Sequence, residues 1–259
     1  MLIRRKNKDN IKVKAIVLDF DGTISTLRYG WEDVMRDMMV DYLGEEYRKE
    51  ILEYVENSAG LQTIFQMKWL KDKAQALFGN SKDAWEYKDD YNKRLMLAVN
   101  KKIELIKNDK AKTEDYLIAG SVDFLKKAKN LGLKLHIASG TDEVDVKNEA
   151  ALLGVSKLVD SISGAPYRQE NCSKEKVLQD LIEKEGLHGA EVCVIGDGRV
   201  EIALGVKMKA RTLGLATDEA KRRGINPTKQ RRLELADAEA IAGDFLNLDE
   251  ILSWLNLVG

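Results

Sequence analysis

Histidine, cysteine and proline each occur only twice in this 259-residue chain. Two cysteines, Cys172 and Cys193, cannot build a disulfide framework or a cysteine-based zinc site. Two histidines, His136 and His188, leave no material for a histidine cluster, and the commonest nucleophile–base pairings go with it. No stretch approaches about 18 uninterrupted apolar residues, so no membrane span is expected. Net charge is scarce as well. Lys and Arg total 42 against 43 Asp and Glu, which argues against a surface that is a nucleic-acid footprint throughout. What is plentiful is apolar residues, at 44%, too many for a disordered chain. These bounds describe a globular, cytoplasmic protein whose reactive groups are carboxylates, lysines and hydroxyls. The basic start of the chain (Arg4, Arg5, Lys6, Lys8, Lys12, Lys14) has no apolar stretch of signal-peptide type behind it and is expected to be a solvated arm.

Short apolar runs recur between helical patterns. Ala15–Leu18, Leu133–Ala138, Val192–Ile195 and Ala210–Leu215 are compact buried-strand candidates, and Leu158–Ile162 and Ala238–Ile241 are weaker ones. Strands alternating with helices predict an α/β fold around a Rossmann-like parallel sheet. One interval breaks the alternation. From Leu27 to Tyr116 the periodicity is helical throughout, with helices over 31–43, over 46–55, from Leu61 to Phe78, and a fourth that Ser81 would cap and whose apolar stripe is Trp85, Leu95, Leu97, Val99, Ile103 and Ile106. This predicts an all-helical cap domain, 27–116, inserted into an α/β core made of 1–26 and 117–259. The methionine and aromatic stripes in it are expected to be core. Asn226-Pro227 marks a later helix start, and Asn247 followed by Glu250 reads as a capping-box variant opening the last helix.

The sharpest chemical feature is Asp19-Phe20-Asp21-Gly22-Thr23, directly after the first strand. Ligands bind at the carboxyl ends of parallel strands. A carboxylate there can attack a phosphoryl group, given a cation to neutralise phosphate charge and a second group to move protons. Alone, the pentapeptide also reads as a strand-ending turn. Three further elements follow. Ser139-Gly140-Thr141 offers a hydroxyl and backbone N–H groups at a strand-to-helix junction. Lys174 sits at a helix start, where a cation opposes the helix dipole and is more plausibly functional than on an open surface. Asp197 and Glu201, after the strand at Val192, offer the hard oxygen ligands that Mg²⁺ prefers.

Acid pair, hydroxyl, lysine and acid pair in this order resemble the haloacid dehalogenase superfamily of phosphohydrolases. The likeness covers nearly the whole chain, since the helical insertion matches that family's cap. The resemblance implies that Asp19 is the nucleophile and Asp21 the general acid and base. Ser139 and Gly140 would bind phosphate, and Lys174 would hold it, with Lys176 as the fallback. Asp197, the Asp19 carboxylate and the Asp21 backbone carbonyl would ligate Mg²⁺. Glu201 stands where the family more often has Asp, and would reach the metal or a metal-bound water. A carboxylate at Asp21 favours phosphate-ester chemistry over dehalogenation. Ser139-Gly140-Thr141-Asp142-Glu143, Gly164-Ala165 and Asp197-Gly198-Arg199-Val200-Glu201 look, more narrowly, like phosphoglycolate-phosphatase-like and sugar-phosphate phosphatases.

The implied partner is a small phosphorylated metabolite, with no nucleic acid and no membrane; oligomeric state carries no signal. Specificity would come from the cap, with Arg28, Gln62, Thr63, Gln66 and Lys68 as candidate readers. The basic segment from Lys221 to Arg232 would attract a multiply charged ester, face RNA or, as charge runs usually do, simply be solvated; no aromatic residue interleaves it. Phosphatase chemistry is the main expectation. A phosphomutase or a non-catalytic phosphate-binding module are the alternatives.

Overall fold

The computed structural model describes residues 1–4, 11–170, 173–184 and 186–257. Among the described residues, seven strands form one sheet: β1 (Leu2–Ile3), β2 (Ala15–Leu18), β3 (Lys134–Asp142), β4 (Ser161–Ala165), β5 (Val192–Gly196), β6 (Arg211–Leu215) and β7 (Ala240–Ala242). Their order is β1-β7-β6-β5-β2-β3-β4. Every pairing is parallel except that of β1 with β7.

The central strands β2 (Ala-Ile-Val-Leu) and β5 (Val-Cys-Val-Ile-Gly) are buried along their whole length. Apolar residues on both faces call for cover on both faces. Ile16 and Leu18 point into one cluster, with Phe124 and Leu125 of α5 (Ser121–Asn130), Val146 of α6 (Glu143–Leu152) and Ile251 of the last helix. Ala15 and Val17 point into the opposite one, with Leu178 and Leu181 of the helix Ser173–Lys184. The result is a three-layer α/β core, as the alternation predicts. Cys193 lies buried in β5, and burial pushes its thiol up to about 12.

Between β2 and α5 come four helices: α1 (Trp31–Leu43), α2 (Arg48–Asn57), α3 (Thr63–Phe78) and α4 (Ala84–Lys107). Met35, Met38, Met39 and Leu43 of α1 pack with Ile51 and Val55 of α2, Met67 and Leu70 of α3, and Tyr87, Leu95 and Val99 of α4. These helices therefore bury a cluster of their own. Tyr54 stacks on Trp69 with ring centroids 4.0 Å apart. The chain leaves and re-enters the α/β layers through two adjacent crossings, where Thr26 N–H donates to Tyr116 O at 2.8 Å and Ile118 N–H to Ile24 O at 2.9 Å.

Four local expectations are corrected. The fourth helix is capped by Asp83 rather than Ser81; Asp83 accepts from Trp85 N–H, and Glu86 completes a capping box. Asn247 precedes the last helix, Leu248–Trp254, without a side-chain cap bond. Leu97, on the apolar stripe of α4, is exposed. The start of the chain is not all a solvated arm, because Leu2 and Ile3 pair with Ile241 and Ala240, and Arg4 N–H donates to Glu239 O. Arg5, Lys6 and Lys8 of that arm, and Cys172, lie outside the described residues. Among the described residues, no helix is long and apolar enough to cross a membrane.

Candidate active site

Register brings the acidic segments together. Leu18 pairs with Ile137 of β3 on one side and Ile195 of β5 on the other. Within two residues beyond these partners come Asp19 and Asp197, at the carboxyl ends of β2 and β5, and Ser139, where the regular register of β3 breaks. Asp19 N–H donates to Ile195 O at 2.9 Å, which extends the ladder by one step and fixes where its carboxylate emerges.

Gly22 shapes the turn that follows. Its φ is +70°, in the left-handed region where glycine has no penalty, and a Cβ there would collide with Asp197 Oδ2. The turn thus lets Asp197 approach the Asp19–Asp21 segment. Asp19, Asp197 and Glu201 each offer a carboxylate oxygen within 4.8 Å of one another. Hard oxygens converging from three acids suit a divalent cation such as Mg²⁺. The Asp21 carboxylate stands outside this trio. It accepts from Thr141 Oγ1 at 2.8 Å, and its Oδ1 is buried, without a hydrogen-bond donor and 4.0 Å from Arg28 Nε.

Lys174 is the second residue of the helix Ser173–Lys184 (α7) and is buried. Its Nζ lies 3.1 Å from Asp19 Oδ2 and 3.0 Å from Glu201 Oε2. Burial opposes its charge, but Asp19 and Glu201 outweigh that and raise its pKa. Lys176 is exposed and has no part in the cluster. Glu201 has a second duty. Its Oε1 accepts from Gly198 N–H at 2.5 Å, capping α8 (Arg199–Lys207). Gly60, from the turn after α2, has φ +92°, and a Cβ on it would collide with Glu201 Oε2. Glycine there admits the helical layer onto the acid cluster.

The acids differ electrostatically. Burial raises Asp19 well above the usual carboxylate range despite Lys174. Burial also raises Asp21, opposed by Arg28 and the Thr141 hydroxyl. Burial would raise Asp197 too, yet Lys229 and Arg232 overcome it and hold Asp197 low. Those two residues were not legible as site residues in the basic segment. Asn226 caps α9 (Pro227–Leu235), accepting from Thr228 and Lys229 N–H. Lys229 and Arg232, one turn apart, are buried, whereas Arg223 and Arg231 are exposed. Lys229 Nζ sits 2.5 Å from both Asp197 Oδ2 and Glu219 Oε1, and Arg232 Nη2 donates to Asp197 O at 3.1 Å. Their spacing, three residues apart just after a Pro helix start, was the available signal.

The junction at Ser139 also differs from expectation. β3 continues to Asp142, with a register shift between Ala138 and Asp142, and the helix starts only at Glu143. Ser139 Oγ accepts from Thr141 N–H at 3.1 Å, so that amide is not free for a ligand.

A cleft with an empty volume of about 690 Å³ opens over these strand ends. Asp19, Asp21, Ser139, Gly140, Lys174 and Asp197 form its floor, and the helical layer supplies its roof. Of the cap candidates, Arg28, Thr63 and Gln66 line it. Gln62 is buried, its Cα facing Gly140, and Lys68 lies away on the surface, paired with Glu170 at 2.5 Å. Trp31, Tyr91 and Asn92 join the lining unforeseen. Asn92 Nδ2 donates to Asp142 Oδ2 at 3.0 Å, and Lys88 pairs with the same carboxylate, so α4 is tied to the end of β3.

A mostly parallel sheet thus gathers the acid cluster at its strand ends beneath a helical layer. Residues 13–208 match the haloacid dehalogenase-like hydrolase family, and the chain belongs to that family. No curated protein sequence matches it. Similar solved structures include a β-phosphoglucomutase from Clostridium difficile, at TM-score 0.66 and 15% identity, covering 94% of this chain and 97% of that one. A protein from Haemophilus somnus described as a predicted phosphoglycolate phosphatase follows at TM-score 0.61 and 15% identity, covering 95% and 99%. A predicted phosphatase from Clostridium acetobutylicum gives TM-score 0.61 and 18% identity, covering 94% and 99%. At these identities the likeness establishes the shared fold.

Proposed function

We propose that the protein is a Mg²⁺-dependent phosphatase of small phosphorylated metabolites, working through an aspartyl-phosphate on Asp19. The observation that carries this reading is the contact of Lys174 Nζ with Asp19 Oδ2 at 3.1 Å, on a cleft floor that Asp21 and Asp197 share. Residues 27–116 act as the cap of a core made of 1–26 and 117–259.

Asp19 attacks phosphorus along the axis of the leaving oxygen. Lys174 holds the phosphate and offsets its repulsion from the attacking carboxylate. Asp21, whose raised pKa suits it to carry a proton, protonates the departing alcohol and then takes a proton from the water that hydrolyses the acyl phosphate. Thr141 Oγ1 and Arg28 orient Asp21 between these roles. Ser139 and Gly140 border the phosphate position. Asp19 and Asp197, with the Asp21 backbone carbonyl, are the residues that would hold Mg²⁺; Glu201 belongs to the same trio but is already engaged by Lys174 and Gly198. When bound, the cation neutralises phosphate charge and fixes its orientation. The roof excludes water while the phosphoryl group is on the enzyme.

Phosphate release from an aryl phosphate should require Mg²⁺ and stop with EDTA. Asp19→Asn should lower turnover by at least about 10³-fold with an unchanged circular dichroism spectrum. Substantial residual turnover in that variant would remove Asp19 as the nucleophile.

A further inference from the structure

Arg28 links Asp21 to two acids outside the cluster, and its part in the reaction rests on the phosphatase reading above. Asp145 and Glu149 stand four residues apart on α6, one turn along the same face. Both accept from Arg28. Its Nη2 donates to Glu149 Oε1 at 2.6 Å and to Asp145 Oδ2 at 3.2 Å, and its Nε donates to the two Glu149 oxygens at 3.1 and 3.2 Å. Glu149 is 2% exposed, and among the described residues its carboxylate has no other hydrogen-bond donor. The backbone around Arg28 is held as well. Lys102 of α4 donates to the carbonyls on either side of it, Leu27 O at 2.7 Å and Tyr29 O at 3.3 Å. The residue that the sequence offers as a reader of the substrate is therefore a strut between the first crossing and α6.

A buried ion pair adds little net stability over apolar residues of the same volume, so stability alone does not account for a glutamate at this place. The position of Arg28 Nε does. It lies 4.0 Å from Asp21 Oδ1, the buried oxygen without a donor, while its hydrogen is turned to Glu149. Asp21 Oδ2 is taken by Thr141 Oγ1, so Oδ1 is the oxygen left to face the leaving group. A guanidinium freed from Glu149 has only a short step to make to Oδ1, and would form there the close, charge-assisted pair that it now forms with Glu149. Such a pair would occupy the oxygen that the leaving group needs.

We propose that Glu149 is a positioning residue: assisted by Asp145, it holds Arg28 off Asp21 and so keeps the Oδ1 of the acid–base residue open to the leaving oxygen. The test compares two esters on the full chain with Mg²⁺. The phenolate of p-nitrophenyl phosphate leaves with little help, whereas phenyl phosphate releases a phenol with a pKa of about 10, like tyrosine, and needs the proton. Rates are measured as kcat/KM at about pH 8, above the value of about 7 to which burial pushes the Glu149 carboxyl. Glu149→Gln should lose at least about 100-fold on phenyl phosphate, the lower end of what a general acid contributes, and no more than about tenfold on p-nitrophenyl phosphate. Adding Arg28→Gln to that variant removes the guanidinium that would close on Asp21, and should restore at least about threefold on phenyl phosphate. A loss equal on the two esters, or a double variant slower than Glu149→Gln, overturns the proposal, since a merely structural glutamate would give both. Asp145→Asn, at the more exposed end of the network, should show the same bias against phenyl phosphate at about threefold. If Glu149→Gln does not fold, Asp145→Asn decides alone, and equal loss on the two esters overturns the proposal. The wild type and Asp19→Asn are run beside these variants. If the wild type hydrolyses neither ester, or Asp19→Asn keeps its rate, the phosphatase reading falls and takes this one with it. If both controls behave and the esters are affected alike, only the role of Glu149 falls.

Discussion

Lys229→Met tests the account of the acid cluster most directly. Lys229 is buried between Asp197 and Glu219, with side-chain exposures of 10%, 14% and 11%. Removing one partner of a buried ion pair costs about 3–5 kcal/mol, because the remaining charge is left uncompensated. For a chain of this size, about 2 °C of Tm accompanies each kcal/mol, so the variant should melt about 6–10 °C below the wild type in EDTA. Mg²⁺ should reverse part of that loss. With Lys229 gone, the Asp197 carboxylate no longer has to exchange an ammonium for the incoming cation. Each tenfold gain in affinity adds about 1.4 kcal/mol at saturating metal, or about 3 °C. The assay is differential scanning calorimetry of both proteins in EDTA and in saturating MgCl₂, with metal affinity measured by isothermal titration. The metal-induced rise in Tm should be larger for the variant. A rise that is smaller, or a loss in EDTA below about 1 kcal/mol, would refute the claim that Lys229 stands in for part of the cation's charge.

Other perturbations follow from the same geometry. Asn226→Ala removes the cap that accepts from Thr228 and Lys229 N–H, and should cost about 1 kcal/mol in chemical denaturation. Gly22→Ala forces a Cβ into a left-handed residue beside Asp197, so kcat should fall by at least about tenfold with a stability loss of about 1–2 kcal/mol. In a Cys172→Ser protein, the Cys193 thiol, pushed up to about 12 by burial, should stay silent to a thiol reagent at mildly alkaline pH until denaturant is added; prompt labelling of the native protein would contradict its placement in β5.

The strand ends were legible because they combine two independent patterns. Apolar runs such as Ala15–Leu18 announce a doubly covered strand, and Asp19, Ser139 and Asp197 each stand just past such a run. Lys174 could be preferred over Lys176 because the apolar residues after it match the helix that follows the lysine in the family the chain resembles, and the former is the buried one. What stayed hidden depends on distances across the fold. Lys229 and Arg232 read as solvated charges because nothing in their segment reports that α9 packs against the loop carrying Asp197. Arg28 read as a substrate contact because its partners, Glu149 and Asp145, are more than a hundred residues away. β1 is only two residues long, too short for periodicity to register.

α4 has one more consequence. Its 24 residues make a rod about 36 Å long at 1.5 Å per residue. Near one end Lys102 Nζ donates to Leu27 O at 2.7 Å, at the crossing into the α/β layers. About 15 and 21 Å along the axis, Asn92 and Lys88 grip Asp142 at the end of β3. Such a rod is a lever with its fulcrum at the crossing. A pivot of about 10° there would carry Lys88 about 4 Å, beyond the reach of an ion pair, while moving the Lys102 end hardly at all. Tyr91 and Leu95, which line the cleft, sit on the same arm as the grip on Asp142. A pivot of α4 that widened the cleft would therefore have to break the Lys88 and Asn92 contacts with Asp142 as well.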